Sequence, residues 1–113
     1  MVEIYHNPRC SKSRETLALL EEKGVEVNVV EYLKDVPTEK ELADLLNKLG
    51  LKAEQIVRKA EAIYKEKYKG KSLSEKQWIK AMVQNPKLIQ RPIVVSGNEA
   101  RLGRPPELVL EII

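Results

Sequence analysis

The first 32 residues constrain the fold most strongly, because they predict a strand, a helix and a second strand in direct succession. Val2-Glu3-Ile4-Tyr5 alternates apolar and polar residues, as a half-buried strand does. Residues 15–23 are mostly strong helix formers, and Gly24, a residue typical of helix ends, follows them. Residues 25–32 alternate again and are rich in β-branched side chains. Two strands joined by one helix in so short a segment predict a parallel βαβ unit.

The middle of the chain is predicted to be helical. A capping box, in which two residues at a helix start bond each other's backbone, begins at Thr38. Leucines follow it at helical spacing until Gly50, and Ser74-x-x-Gln77 opens another helix. We therefore predict a helical insertion over about residues 38–85, between two halves of a sheet. Shorter helical segments are expected at about residues 53–59 and 61–68.

The last third of the chain returns to β-structure. Residues 91–95 and 100–102 predict two strands, and the turn at 96–98 joins them as a hairpin. A closing helix with proline in its first turn follows, with an apolar side expected to face inward. That side is formed by Leu108, Val109, Leu110, Ile112 and Ile113.

These elements predict one α/β domain over residues 1–113 with a thioredoxin-like fold, a βαβ half and a ββα half around a mixed four-stranded sheet. In such folds the proline that opens the third strand, here Pro92, faces the active-site loop and commonly follows a cis peptide bond. The alternative is an ordinary trans proline at a strand start.

The loop between the first strand and the first helix contains Cys10 and His6, the single cysteine and the single histidine of the chain. Cys10 is predicted near the N-terminus of the helix, where unpaired N–H groups and the helix dipole stabilise a thiolate. Arg9, Lys12 and Arg14 add positive charge. A lone cysteine is also often a small, inert core residue. The charged neighbours favour the interpretation as a reactive thiolate.

Composition excludes several other classes of function. A single cysteine forms no internal disulfide, and one cysteine with one histidine cannot build a zinc site, so no metal and no bound cofactor are expected. No segment has the apolar length of a membrane span or the pattern of a signal peptide, so we expect a cytoplasmic protein with no membrane partner. The 20 basic and 17 acidic residues are interleaved, which argues against nucleic-acid binding. A monomer is expected.

Four blocks of sequence, in order along the whole chain, resemble the ArsC family, the glutaredoxin-coupled arsenate reductases of bacteria. The blocks are His6-Asn7-Pro8-x-Cys10-x-x-Ser13-Arg14, Arg58-Lys59, Arg91-Pro92-Ile93-Val94-Val95 and Arg101-Leu102-x-Arg104-Pro105. The resemblance implies that Cys10 attacks the arsenic of arsenate and forms a thiol–arsenate adduct. Glutathione then attacks, glutaredoxin removes the glutathione, and arsenite is released. The cysteine count agrees with this scheme, because Cys10 has no second thiol in the chain to resolve its oxidised state.

The resemblance also implies three arginine ligands for the oxyanion, Arg58, Arg91 and Arg104. Planar guanidinium groups suit a tetrahedral anion, since each can bind two of its oxygens. Arg91 and Arg104 each precede a proline at the end of a predicted element. Nothing local distinguishes Arg58 from its neighbour Lys59, so its assignment depends on the resemblance.

Three further residues are expected to support the thiol. His6 would lower the thiol pKa as an imidazolium or relay a proton as a neutral imidazole, or it would only hydrogen-bond the loop. Ser13 is expected to donate a hydrogen bond to the thiolate or to cap the helix. Arg14 is expected to assist the anion or the thiolate.

The loop around Cys10 is more basic than is usual in the family, and two alternatives therefore stay open. One is a monothiol oxidoreductase acting on glutathione mixed disulfides, in which Cys10-x-x-Ser13 and the basic loop bind the glutathione carboxylates. The other is an Spx-type regulator that binds RNA polymerase. Since Ser13 occupies the position of the second cysteine in the Spx redox pair, a disulfide switch of that kind is excluded.

Overall fold

The structure is a computed structural model that describes residues 2–113, and its centre is a mixed four-stranded sheet. The strands are β1 (Val2–Tyr5), β2 (Val27–Val30), β3 (Ile93–Ser96) and β4 (Glu99–Leu102), in the spatial order β2-β1-β3-β4. β1 pairs in parallel with β2 and antiparallel with β3, which pairs antiparallel with β4. The predicted α/β, thioredoxin-like fold is confirmed.

The chain forms two compact units. The first contains the residues up to Asp35 together with Arg91–Ile113, and the second is Val36–Gln90. The sheet belongs to the first unit. A single domain with a helical insertion at about residues 38–85 stays a prediction.

In the first unit, helix α1 (Ser11–Glu22) packs beside the sheet. One cluster of buried side chains joins both ends of the chain and consists of Val2, Ile4, Leu20, Val94 and Val109. Strand β2 is shorter than predicted, since it is an edge strand whose length is set by its pairing with the four residues of β1.

The closing element differs from the prediction. Pro106–Glu111 forms a 3₁₀-helix, and Leu110 and Ile113 are exposed at 36% and 43%, so the prediction that these two face inward was wrong. A 3₁₀-helix has three residues per turn, so its buried stripe repeats every third residue. That stripe begins at Pro106 and continues through Val109, both of which are buried.

The second unit contains helices α2 (Glu39–Leu49), α3 (Ala62–Lys67) and α4 (Glu75–Gln84). The predicted capping box at Thr38 is present, and a second one forms at Ser74, where a helix was predicted to start. The predicted helix at residues 53–59 is only a 3₁₀-turn over Ala53–Ile56, and a second 3₁₀-turn spans Pro86–Leu88. The buried helical side chains are Leu42, Leu45, Leu46, Trp78, Ile79, Ala81 and Met82. None of the helices within residues 2–113 has the length and apolar character needed to cross a bilayer.

Candidate active site

The register of the sheet brings four segments of the chain together at one edge, where β1, β2 and β4 end and β3 begins. Tyr5, the last residue of β1, pairs with Val30 at the end of β2 and with Ile93 at the start of β3. Residues that follow β1 therefore lie beside residues that follow β2 and residues that precede β3. Ile93 also pairs with Leu102, so residues that follow β4 reach the same edge.

Backbone hydrogen bonds continue this arrangement beyond the strands. The His6 N–H donates to the Val30 carbonyl at 2.8 Å, which ties the loop after β1 to the end of β2. The Gly103 N–H donates to the Pro92 carbonyl at 2.9 Å, which ties the segment after β4 to the segment before β3. The loop containing Cys10 and the segments containing Arg91 and Arg104 are thus neighbours.

Asn7 shapes the loop that delivers Cys10 to the start of α1. Its carbonyl accepts from the Cys10 N–H at 3.0 Å, and its side-chain oxygen accepts from the Arg9 N–H at 3.0 Å. Cys10 becomes the N-cap residue of α1, with extended backbone angles and no hydrogen bond from its side chain to the helix start. Its thiol is free and only 8% of the residue is exposed.

The environment of Cys10 favours the thiolate. Burial alone raises the pKa of the Cys10 thiol, because it removes water from the charged form. The Ser13 N–H, the guanidinium of Arg91 and the Lys12 N–H outweigh burial, and together they lower the pKa of Cys10 below its ordinary value. Two of these three groups are N–H groups in the first turn of α1, where the helix leaves its donors unpaired.

Two predicted anion ligands meet at the sulfur. Nη2 of Arg104 donates to Sγ of Cys10 at 3.6 Å, and Nε of Arg104 donates to the Arg91 carbonyl at 2.7 Å. The guanidinium of Arg91 hydrogen-bonds the thiolate as well. The structure therefore brings Cys10, Arg91 and Arg104 together. The cis peptide bond expected before Pro92 is present, and a second one, before Pro105, was not predicted.

His6 and Ser13 form a buried pair behind the loop. His6 Nδ1 lies 2.6 Å from Ser13 Oγ, which also accepts from the Asn7 N–H at 3.0 Å. Desolvation lowers the pKa of His6, the charge of Glu31 opposes this, and the charge of Arg14 reinforces it. A neutral His6 can accept a hydrogen bond from the Ser13 hydroxyl at Nδ1. The geometry favours the interpretation that His6 holds the loop.

Ser13 and Arg14 differ from their expected contacts. The Ser13 hydroxyl is engaged with His6 and Asn7, and the cap position belongs to Cys10, so Ser13 reaches the thiolate through its backbone N–H. Arg14 is exposed, and its Nη1 donates to the Pro8 carbonyl at 2.9 Å. Arg14 thus braces the loop from outside.

Tyr32 is a site residue that the sequence reasoning missed. It was predicted only as the last residue of a strand, whereas it lies just beyond the end of β2 and is fully buried. Burial raises the pKa of the Tyr32 phenol, and the negative charge of Cys10 adds to the rise. The positive charge of Arg91 and weak hydrogen bonding to the side chains of Arg91 and Asn7 oppose it. A large aromatic residue directly after a strand whose end meets the Cys10 loop was the available signal.

Arg58, the third predicted anion ligand, belongs to the second unit. Its N–H donates to the Leu88 carbonyl at 2.7 Å, and its Nη1 donates to a carboxylate oxygen of Glu61 at 2.7 Å. The Arg58 side chain is 20% exposed. Its part in anion binding stays a prediction.

A cavity of about 360 Å³ adjoins the loop that precedes Cys10. It has cationic and anionic groups in its wall. The lining residues are His6, Asn7, Pro8, Arg9, Glu31, Leu33 and Lys34. In the part of the chain that the structure describes, no group of three or more histidine, cysteine, aspartate or glutamate side chains could hold a metal ion.

Comparison with known proteins identifies the family of the chain. Residues 5–112 match the model of the ArsC family. The chain belongs to the ArsC family. A relative from Haemophilus influenzae named arsenate reductase is 46% identical over 99% of this chain and 98% of its own. The Escherichia coli protein YfgD is 57% identical, with 99% and 96% of the two chains covered.

The fold of this ArsC-family chain is also shared with solved structures. A structure described as an arsenate reductase from Vibrio cholerae superposes with a TM-score of 0.95 at 53% sequence identity. The match covers 99% of this chain and 97% of that one. The likeness therefore includes both the strands that gather the site and the helices of the second unit.

Proposed function

We propose that this ArsC-family protein is an arsenate reductase that draws its electrons from glutathione and glutaredoxin. The observation that carries the proposal is the convergence of Cys10, Arg91 and Arg104. A thiol with a lowered pKa lies within hydrogen-bond distance of guanidinium groups, so a nucleophile and a binding site for its anionic substrate are adjacent. The arsenate reductases among the relatives support the choice of arsenate.

In the first step, the Cys10 thiolate attacks the arsenic of arsenate. A sulfur–arsenic bond forms, an arsenic–oxygen bond breaks, and the departing oxygen takes up protons and leaves as water. Arg91 and Arg104 stabilise the negative charge that is spread over the remaining oxygens. Because both guanidinium groups already face the sulfur, little reorganisation accompanies the attack. The family resemblance adds Arg58 as a third ligand.

The remaining steps supply two electrons from outside. The glutathione thiol replaces another arsenic-bound oxygen, and a glutaredoxin thiolate then attacks the glutathione sulfur. The sulfur–arsenic bond to glutathione breaks with its electron pair left on arsenic, which becomes As(III), and a mixed disulfide forms. Water displaces the Cys10 thiolate and arsenite is released. Two thiols are oxidised for each arsenic reduced. Two arsenate oxygens leave as water, one at each thiol attack, and one water is taken up when the Cys10 thiolate is displaced, so the net release is one water.

The cavity beside the loop is a suitable place for glutathione. Glutathione carries two carboxylates and one ammonium group, and the cavity wall offers Arg9 and Lys34 against Glu31. The wall follows the loop up to Arg9, the residue before Cys10, so a tripeptide seated there lies next to the segment that carries the sulfur. The same cavity and thiol would serve the alternative activity, deglutathionylation of mixed disulfides.

The test is arsenite production from arsenate in the presence of glutathione and glutaredoxin. We expect turnover by the wild-type protein and none by Cys10→Ser, which keeps the size of the side chain but lacks the nucleophile. No arsenite from the wild type, or the same rate from Cys10→Ser, would disprove the proposal. Cleavage of a model glutathione mixed disulfide without arsenite production would favour the deglutathionylation alternative.

A further inference from the structure

The hydroxyl of Tyr32 is the most unusual polar group near the site. Tyr32 has no exposed surface, and its hydroxyl has no partner at full hydrogen-bond geometry within residues 2–113. The side chains of Arg91 and Asn7 lie near enough for weak hydrogen bonding to lower its pKa. Buried polar groups are nearly always hydrogen-bonded, because an unmade bond costs stability. A buried hydroxyl that lies beside Arg91 and Asn7 without a well-formed hydrogen bond therefore indicates a role in the site as well as in the fold.

The position of Tyr32 suggests what that role is. Tyr32 lies two residues beyond Val30, the last residue of β2 and the backbone partner of His6. Its phenol is close enough to Cys10 and Arg91 for their charges to shift its pKa. The hydroxyl thus lies at the same sheet edge as the thiol and the guanidinium groups.

The chemistry of the phenol complements that of the arginines. Burial raises the pKa of Tyr32, so the phenol stays protonated and remains a donor at neutral pH. A tetrahedral oxyanion presents several acceptor oxygens, and a neutral donor can bind one of them without adding charge to the site. Packing alone would be served equally well by a phenyl ring, so the oxygen atom is the part that needs a function.

We propose that Tyr32 is a further binding residue of the oxyanion site, whose phenol donates a hydrogen bond to an oxygen of the tetrahedral anion held beside Cys10 and Arg91. The proposal rests on the proposed function in one respect, since it takes arsenate as the anion. It does not depend on reduction, because phosphate has the same shape and charge and cannot be reduced by thiols.

The test compares Tyr32→Phe with wild type in two measurements. The first is protection of Cys10 from alkylation by iodoacetamide as arsenate or phosphate is titrated, which gives a Kd for each anion. The second is the thermal midpoint without anion. Tyr64→Phe is the matched control, since Tyr64 lies in α3 of the second unit and stacks on Trp78.

We expect Tyr32→Phe to raise the Kd of both anions by about tenfold, as loss of one hydrogen bond to a charged ligand does. Its thermal midpoint should be unchanged or higher by roughly a few degrees, because an unsatisfied buried oxygen has been removed. Tyr64→Phe should leave both Kd values unchanged. If Tyr32→Phe binds the anions more weakly but is no less stable than wild type, the hydroxyl acts in anion binding, because loss of a purely structural hydroxyl would lower stability.

Three results would overturn the proposal. One is a Kd for Tyr32→Phe within about twofold of wild type, and another is a midpoint lower by several degrees, which would make the hydroxyl part of the fold. The third is a wild-type thiol that neither anion protects. Arsenite production is measured separately, so weaker protection in Tyr32→Phe without arsenite would refute only the reductase proposal. Arsenite production with equal protection in both proteins would refute only the role of Tyr32.

Discussion

A guanidinium nitrogen of Arg104 lies 3.6 Å from the sulfur of Cys10, although the two residues are 94 positions apart in the chain. A second nitrogen of the same guanidinium donates to the Arg91 carbonyl and fixes its direction. The cation is therefore oriented toward the thiol before any substrate arrives. Under the proposed function, an entering arsenate would meet its ligand and its nucleophile already aligned.

Removal of the Arg91 guanidinium should raise the pKa of Cys10. The sulfur would remain buried, and burial raises the pKa, whereas the hydrogen bond and the charge that lower it would be lost. In wild type the rate of iodoacetamide alkylation should have a pH midpoint below the ~8.5 of a free thiol. In Arg91→Ala the midpoint should move up to that value or above it, so alkylation at pH 7 slows. Arg101→Ala is the control, because Arg101 pairs with Glu111. An unmoved midpoint in Arg91→Ala would contradict the electrostatic account.

Replacement of Arg58 should impair arsenate reduction far more than replacement of its neighbour. If Arg58 binds the anion, Arg58→Ala loses charge-assisted hydrogen bonds of about 1.5–3 kcal/mol, so kcat/KM for arsenate should fall roughly 10- to 100-fold. Lys59→Ala should cause less than about a twofold change, since Lys59 forms only an exposed ion pair with Glu54. Equal effects of the two substitutions would remove Arg58 from the list of anion ligands.

Charge reversal in the cavity beside the loop should weaken glutathione use. We expect Arg9→Glu to raise the KM for glutathione several-fold at low salt, because one cation facing the carboxylates becomes an anion. Formation of the adduct with arsenate should change little, and it is monitored as protection of Cys10 from alkylation. Lys23→Glu, outside the cavity at the end of α1, provides the same change of charge as a control. A KM that responds equally to both substitutions would indicate a general effect of net charge.

A methyl group at Gly103 should destabilise the protein and disturb the site. A Cβ there would lie 2.5 Å from Thr16 Oγ1 and 2.7 Å from Pro92 Cγ, both closer than van der Waals contact allows. We expect Gly103→Ala to lower the free energy of unfolding by about 1–3 kcal/mol, the usual cost of overpacking. Activity should also fall, because the segments containing Arg91 and Arg104 meet at this contact. Urea unfolding measures the change, and the double variant Thr16→Ala/Gly103→Ala should recover part of it. No loss of stability in Gly103→Ala would show that the backbone relaxes without cost.

The buried His6 should make the protein less stable in mild acid. The pKa of His6 is lowered in the folded state from its ordinary 6.5, so the unfolded chain binds a proton more readily. This contribution to stability is fully present above pH 6.5 and is lost as pH falls through the folded pKa. Urea unfolding between pH 7.5 and 5.5 should show a decline of at most about 1.4 kcal/mol per pH unit from this group. His6→Gln should have a flatter profile over that interval. Parallel profiles for the two proteins would contradict a lowered His6 pKa.

Much of the fold could be predicted because its signals are local. The capping boxes at Thr38 and Ser74 and the strand, loop and helix around Cys10 are each specified by a few neighbouring residues. The closing helix was predicted with the 3.6-residue period of an α-helix, whereas it has the three-residue period of a 3₁₀-helix. Its apolar residues fit an α-helical face, but the short, proline-led segment forms a 3₁₀-helix that buries every third residue.

The site was less predictable, since it depends on contacts between distant segments. The proximity of Arg104 to Cys10 depends on the pairing of Tyr5 with Ile93 and of Ile93 with Leu102, and no local pattern encodes such a register. Family resemblance supplied the arginines, whereas Tyr32 had no motif to mark it. Its proposed role depends on the burial of its hydroxyl beside Arg91 and Asn7, without a well-formed hydrogen bond among residues 2–113.

The chain order of the site has a consequence for synthesis. Cys10 leaves the ribosome early, but the guanidinium groups that meet its sulfur belong to the segment before β3 and to the segment after β4, which are made later. Until those strands have joined the sheet, the nascent chain lacks the Arg91 contact that helps to lower the pKa of the thiol. A smaller fraction of Cys10 is therefore thiolate before β3 and β4 join the sheet, and the activated form of the cysteine arises only in the assembled fold.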